Sequence, residues 1–289
     1  MTKAKTAGTA ALLVSAFFWA TAYIFVKQLI ADIPPCFLLA VRYAIAAAIM
    51  LAAYLPKRRL LTWKMVLSGT IMGIFLFGEF FTFTVGLQYT TTSRSSLLIA
   101  SYIILLPLAY WLIRRRRPAR IDVLTAVVCM VGVCFIVGGN LGGFQIGDIY
   151  CLACAMCYAI YIVVSAKYSR EYDTGLLNAI QITVTAVLSI FCSLIVGDYH
   201  GGITLPAFGG LVYLAVVCTI LPFFLCLFGM KRVSTTASGI LLSFESVFAA
   251  VMGVLLLHEL FYWQLGVGAG IVVFSFFLPA VIRKAKPRL

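Results

Sequence analysis

The sequence predicts an all-α membrane protein whose ten transmembrane helices form two inverted five-helix repeats. Three observations predict it: a composition too apolar for a water-facing surface, Lys and Arg confined to alternate connections, and two halves that resemble each other in order. Of the 289 residues, 63% are hydrophobic and 11% are charged, whereas soluble domains keep about 25% of theirs charged. A soluble domain is excluded. Each helical crossing needs about 20 apolar residues, so ten of them use most of the chain and leave no room for an extramembrane domain.

Bounded by Pro, Gly or charge, the apolar segments fall at 7–28, 35–55, 65–87, 93–113, 121–139, 147–167, 175–196, 206–229, 235–257 and 262–282. They are helical because a backbone in hydrocarbon must satisfy its own N–H and C=O groups, and the alternation of a membrane barrel is absent. The first segment follows the basic start Met1-Thr-Lys-Ala-Lys and has no small-residue cleavage site, so it reads as a retained span. The second is entered at Pro34-Pro35, the third follows a basic cluster that ends at Lys64, and the fifth follows a run of arginines. The glycine pairs Gly138-Gly139 and Gly142-Gly143 read as the turn before the sixth. Most of the nine cysteines sit inside these apolar runs, where Cys behaves as a small hydrophobe, so no disulfide framework is expected.

The charges orient the spans. With the N-terminus cytoplasmic, 19 of the 22 Lys and Arg fall on the cytoplasmic side, as short loops require. They are Lys3 and Lys5, Lys57 to Lys64, Arg114 to Arg120, Lys167 and Arg170, Lys231 and Arg232, and the basic C-terminus. Lys27 and Arg94 face the other way, and Arg42 lies within the second span. An even number of crossings with both termini cytoplasmic follows. The net charge of +13 is therefore an insertion signal and secondarily a contact for anionic membrane lipid, not a nucleic-acid surface.

The halves repeat. GLQYTTTSRSSLL from Gly86 lies on GMKRVSTTASGILL from Gly229, matching Thr92 to Thr235, Ser95 to Ser238 and Leu98 to Leu241. Phe80-Phe81 falls on Phe223-Phe224, the segment from Phe37 on the segment from Leu176, and Trp19-Ala20 on Tyr158-Ala159. A unit of five spans is odd, so the second copy enters the membrane from the opposite side. The two units are placed at 7–140 and 147–282. Inverted repeats supply two packings of similar energy, one open to each side, which is the architecture of alternating access.

These two turn-and-helix patterns, together with Trp19-Ala20 and Arg42-Tyr43, make the chain resemble the EamA-type carriers of the drug/metabolite transporter superfamily, from about Thr9 to Phe277. The resemblance implies a ten-helix carrier with a central cavity between its halves. It also implies helices five and ten at the periphery, available for a homodimer, and a bacterial inner membrane. The sequence departs from the family at two places. Glu245 is followed by Ser246 where members carry Pro, and the helix ends in His258-Glu259 where they carry Gly-Glu. The fourth span ends in Arg114-Arg115-Arg116-Arg117 instead of a Gly-Glu pair.

Charges kept at membrane depth cost at least about 2.5 kcal/mol and should face a partner or a wet cavity. Arg42, Glu79 and Glu245 qualify. Arg42 lies near the outer end of span two and reads either as an outward-reaching or anion-binding residue or as a structural pair. Glu79 sits midway along span three among Phe75, Phe77, Phe80, Phe81 and Phe83, opposite Pro222 in the repeat. A carboxyl among apolar rings suits proton exchange or recognition of a cationic group; the plainer alternative is a neutral Glu bonded to a neighbouring helix. Glu245 is the repeat mate of Tyr102, and both project to where the copies meet. Trp19, Tyr23, Tyr102, Tyr158 and Tyr161 are candidate walls for an organic solute. Asn178 and Gln181 share one helix face and are candidate solute ligands or helix-helix bonds. Cys151, Cys154 and Cys157 lie on one stripe of span six and read as close packing rather than metal ligation, since the two histidines, His200 and His258, lie near loops.

The residues thus predict a secondary active transporter that moves a small organic metabolite, amino-acid-like or amphipathic, with a proton-coupling candidate in Glu79. No cofactor or metal is expected. No nucleophile-base pair supports an enzyme, and no Gly-rich phosphate loop supports direct use of ATP. A non-transporting scaffold or receptor, or an intramembrane enzyme, is the competing reading.

Overall fold

The computed structural model describes residues 3–90, 95, 98–115, 117–137, 145–197, 204–256 and 263–285. Arg94, Thr92, His200, His258, Gly138, Gly139, Gly142 and Gly143, singled out above, lie outside the described residues. The helices are α1 (Lys3–Leu29), α2 (Pro35–Tyr54), α3 (Trp63–Gly86), α4 (Tyr102–Arg114), α5 (Arg120–Val137) and α6 (Ile146–Tyr168). They continue with α7 (Thr174–Val196), α8 (Leu205–Ala215), α9 (Leu221–Met230), α10 (Thr235–Leu242), α11 (Phe244–Leu256) and α12 (Trp263–Ala285). Six helical stretches among the described residues are long and apolar enough to cross a membrane, and Leu98–Arg114 and Gly266–Leu278 are shorter apolar ones. No strand occurs among the described residues.

Local chemistry sets the starts. Pro35 occupies the first position of α2, where its missing N–H costs nothing. Thr62 caps α3 by accepting from Met65 N, Asp173 caps α7 by accepting from Gly175 N and Leu176 N, and Ser234 caps α10 by accepting from Ala237 N. Gln145 and Asp148 form a reciprocal capping box at the start of α6.

Three expected spans are interrupted, and each interruption has a cause. The eighth runs from Leu205 to Met230 but contains a five-residue π turn, Val216–Ile220, immediately before Pro222. Pro222 brings no N–H, so the turn before it cannot close all its helical bonds. The ninth breaks at Ser243, between α10 and α11. The fourth turns at Ser101, just before α4. At both breaks a serine hydroxyl donates to the carbonyl three residues back: Ser101 Oγ to Leu98 O at 2.6 Å and Ser243 Oγ to Ile240 O at 2.7 Å. Such back-bonding competes with the helical ladder and bends it.

The packing is reciprocal between the halves. α2 lies along α7, α5 along α12, and α4 meets α10; α3 packs on α6 and α7 while α9 packs on α1 and α8 on α2. Glycines allow the closest of these approaches. A Cβ on Gly69 would stand 2.5 Å from Ile180 Cγ2, and one on Gly73 would stand 2.7 Å from Val184 Cβ, so α3 and α7 meet nearly backbone to backbone. The Gly73 carbonyl also accepts from Thr185 Oγ1 at 3.1 Å across that contact. The cysteine stripe serves the same end, since Gly78 faces Cys157 and Gly86 faces Cys151 where α3 lies on α6. α5 and α12 turn Val123, Leu124, Val127, Val131, Val273, Phe274 and Phe277 outward.

Candidate functional site

At the centre of the bundle Phe80 and Phe223, repeat mates in the sequence, meet edge to face at 5.8 Å. Trp19 packs on Phe223 at 5.0 Å and on Tyr158 at 6.2 Å, and Tyr158 packs on Tyr102 at 4.5 Å. Of this aromatic knot, Trp19, Phe80, Tyr102 and Tyr158 line a cavity bounded by α1, α3, α6, the start of α4 with the turn before it, and the junction of α10 with α11. The cavity holds about 590 Å³ of space counting its open mouth.

Six of the ten candidate residues line it: Trp19, Tyr23, Glu79, Tyr102, Tyr158 and Glu245. Residues far apart in sequence are thereby brought together, with Glu79 from α3 and Glu245 from the first turn of α11 within electrostatic range of each other. The Tyr23 hydroxyl is directed at the Glu245 carboxyl. Tyr102 donates its hydroxyl to the Gly239 carbonyl at 3.0 Å, tying the fourth span to the ninth just below the Ser243 break. Trp19 Nε1, Tyr158 OH and Glu79 Oε2 are buried and have no hydrogen-bond partner among the described residues. Among the described residues no Lys, Arg or His lines the cavity.

The other four candidates lie behind it. Arg42 neither reaches outward nor faces the cavity: it is fully buried, donating from Nε to Thr219 Oγ1 at 2.8 Å and from Nη2 to the Cys218 carbonyl at 3.1 Å. The physical reason is the π turn, whose irregular backbone offers acceptors that an intact helix would keep for itself. The guanidinium lies 4.8 Å from the Phe80 ring, which lines the cavity, and Nη1 has no partner among the described residues. Asn178 likewise serves the interrupted span, donating Nδ2 to the Ile220 carbonyl at 3.1 Å, and Ser15 donates to the Pro222 carbonyl at 2.9 Å. Gln181 donates to Asn178 Oδ1 and accepts from Tyr161 OH, so Tyr161, Gln181 and Asn178 form a buried chain that ends on that backbone.

The cavity also has walls that sequence reasoning missed, namely Phe83, Cys154, Ser243 and Ser246. A signal for two of them existed. Phe83 stands one helical turn after Glu79 and Cys154 one turn before Tyr158, so an i±4 walk from each candidate finds them.

The sequence profile of the EamA-like transporter family matches the chain twice, over residues 6–138 and over residues 145–280. The chain belongs to the EamA-like transporter family. It is accordingly a multi-pass membrane protein of a family that transports small solutes. Among relatives, an uncharacterised transporter of Archaeoglobus fulgidus is 26% identical over 258 residues, covering 86% of this chain and 78% of its own. The threonine/homoserine exporter RhtA of Salmonella typhimurium is 26% identical over 225 residues, covering 76% of this chain and 73% of its own. One crystal structure superposes with a TM-score of 0.80 at 21% identity, over 98% of this chain and 99% of that one, which establishes the shared fold. Within the EamA-like architecture the cavity lies where the two matched segments meet, since α1, α3 and the turn before α4 belong to one and α6, α10 and α11 to the other.

Proposed function

We propose that this EamA-like protein is a secondary active transporter of a small organic metabolite, amino-acid-like or amphipathic, working by alternating access. The observation that carries the reading is the cavity itself, a cleft with two carboxyl groups whose walls come from both matched segments. Rocking of one segment against the other opens such a cleft to either face in turn. The reciprocal packing of α2 with α7, α5 with α12 and α4 with α10 supports two inverted five-helix units, 7–140 and 147–282, in a ten-span fold. The interrupted helices support the motion, because the π turn with Pro222 and the serine breaks at Ser101 and Ser243 concentrate bending beside the cavity. The Archaeoglobus and Salmonella relatives, both named as transporters, support solute movement over a scaffold, receptor or enzyme role.

Within this reading Trp19, Tyr23, Tyr102 and Tyr158 hold the solute, Glu79 and Glu245 supply charge recognition, and Glu79 exchanges the coupling proton. Arg42, Asn178 and Gln181 act on the solute only through span eight. The protein resides in a bacterial inner membrane with both termini cytoplasmic, and α5 and α12 offer the face for a homodimer. Liposomes holding only the purified protein test the function: net solute accumulation driven by an imposed proton gradient is expected, and absence of flux for every metabolite tried refutes it. Accessibility labelling tests the topology, since single cysteines at Lys57 and Arg114 must label from the same side.

A further inference from the structure

We propose that the cavity selects a primary organic amine that carries no carboxylate, in preference to a zwitterionic amino acid. The proposal rests on the transporter reading above and narrows its solute. Its basis is a charge count within one buried region. Two carboxyl groups, Glu79 and Glu245, line the cavity, and among the described residues the one cation in electrostatic contact with Glu79 is Arg42, which sits behind Phe80 with Nε and Nη2 already engaged by Thr219 and Cys218. A bound ammonium favours the ionised form of both carboxyls, and with both ionised the described residues of the region carry one negative charge that Arg42 does not offset. A buried charge without a partner is costly, and a single ammonium group cancels it. A zwitterion leaves the deficit in place and adds a carboxylate, while an anion doubles it.

The unpartnered groups agree with the count. Glu79 Oε2 and the Tyr158 hydroxyl have no hydrogen-bond partner among the described residues, and both side chains line the cleft. An ammonium brings three N–H donors to them. Trp19 at 5% exposure and Tyr158 at 3% add ring faces that attract a cation when water is excluded. A solute carboxylate finds no such welcome. Among the described residues the lining holds no basic side chain, its donors are neutral hydroxyls and Trp19 Nε1, and the positive end of α11 already has the Glu245 carboxyl in its first turn.

Three probes of one shape and different charge decide the matter: phenethylamine, phenylalanine and 3-phenylpropionate, each titrated against the purified full-length protein at neutral pH with thermal stabilisation as the readout. Phenethylamine is expected to half-saturate at a concentration at least tenfold below phenylalanine, with 3-phenylpropionate weakest. The Glu245→Gln variant is expected to lose that margin, and the Glu79→Gln/Glu245→Gln double variant, left with the Arg42 charge alone, to favour 3-phenylpropionate. Equal or tighter binding of phenylalanine or 3-phenylpropionate to the unmodified protein overturns the proposal, and so does the absence of binding by all three. The order measured on the unmodified protein suffices if a variant does not fold. Failure of the transporter reading shows separately, as absence of flux for every solute in liposomes.

Discussion

The substitution Thr219→Val tests the polar clamp on the interrupted eighth span. It preserves shape and removes one hydroxyl, which accepts from Arg42 Nε at 2.8 Å and donates to the Leu214 carbonyl at 2.8 Å. Nη1 of the same guanidinium already lacks a partner among the described residues. Without the hydroxyl, a second fully buried N–H of a charged group is orphaned. A hydrogen bond to a charged group contributes about 1.5–3 kcal/mol net, and orphaning the charged partner moves the loss to the upper end, so about 3 kcal/mol is expected. In an Arg42→Met background the charge is gone, and the same substitution removes only the neutral bond to Leu214, about 1 kcal/mol. The coupling between the two positions is therefore about 2 kcal/mol, well above the roughly 0.5 kcal/mol scatter of independent sites. Equilibrium unfolding of the four proteins in mixed micelles measures it. Additive losses would mean that Arg42 does not hold the π turn, and the account of span eight would fail. Arg42→Met alone is expected to change stability little, because the lost bonds are offset by relief of burying a charge.

Four further outcomes follow from the same geometry. Glu79→Gln should leave folded yield intact and flatten the pH dependence of solute flux; an unchanged pH profile removes Glu79 from proton coupling. Glu245→Ala, which also strands the Tyr23 hydroxyl, should lower flux at least tenfold while lowering folded yield less, and equal losses would make its role structural. Gly73→Val places branched carbon where even a Cβ would stand 2.7 Å from Val184 Cβ, so overpacking should cost about 1–3 kcal/mol; unfolding at the unmodified denaturant midpoint would show that α3 and α7 are not in close contact. Cys36 and Cys192 have sulfurs 3.5 Å apart across α2 and α7, so a mild thiol oxidant should join them, and a peptide map without that crosslink would refute this pairing of spans.

Much of the architecture was legible because insertion chemistry leaves strong marks in sequence. The alternation of basic loops and the apolar lengths gave helix boundaries that the structure meets to within a few residues at α2, α3, α6 and α7. The interruptions were not legible. Ser101 and Ser243 look like ordinary small residues in apolar runs, and only the fold reveals that each hydroxyl turns back on its own helix. Pro222 was visible as a breaker, yet a proline in a membrane helix yields a kink, a π turn or neither according to which neighbours can satisfy the freed carbonyls. Here Arg42, Asn178 and Ser15, from α2, α7 and α1, all do so. Their partners are backbone atoms, which carry no signal in a side-chain alphabet. That is why Arg42 and Asn178, met in sequence alone, stay open between solute contacts and structural bonds.

The same distinction explains what the repeat could and could not place. Pairing Trp19 with Tyr158 and Tyr102 with Glu245 put four residues at the junction of the copies, and all four line one cavity. Pairing Arg42 with Gln181 put two polar side chains at equivalent depth, and both lie instead in the support of span eight. The repeat thus locates depth and facing, while chemistry assigns the task. A cation that can find carbonyl acceptors in a broken helix is drawn away from the cleft, and the carboxyls that find no such donors remain in it. By opening span eight to Arg42, the break at Pro222 gives the guanidinium backbone acceptors behind the cleft, and among the described residues Glu79 and Glu245 are the ionisable carboxyls that line it.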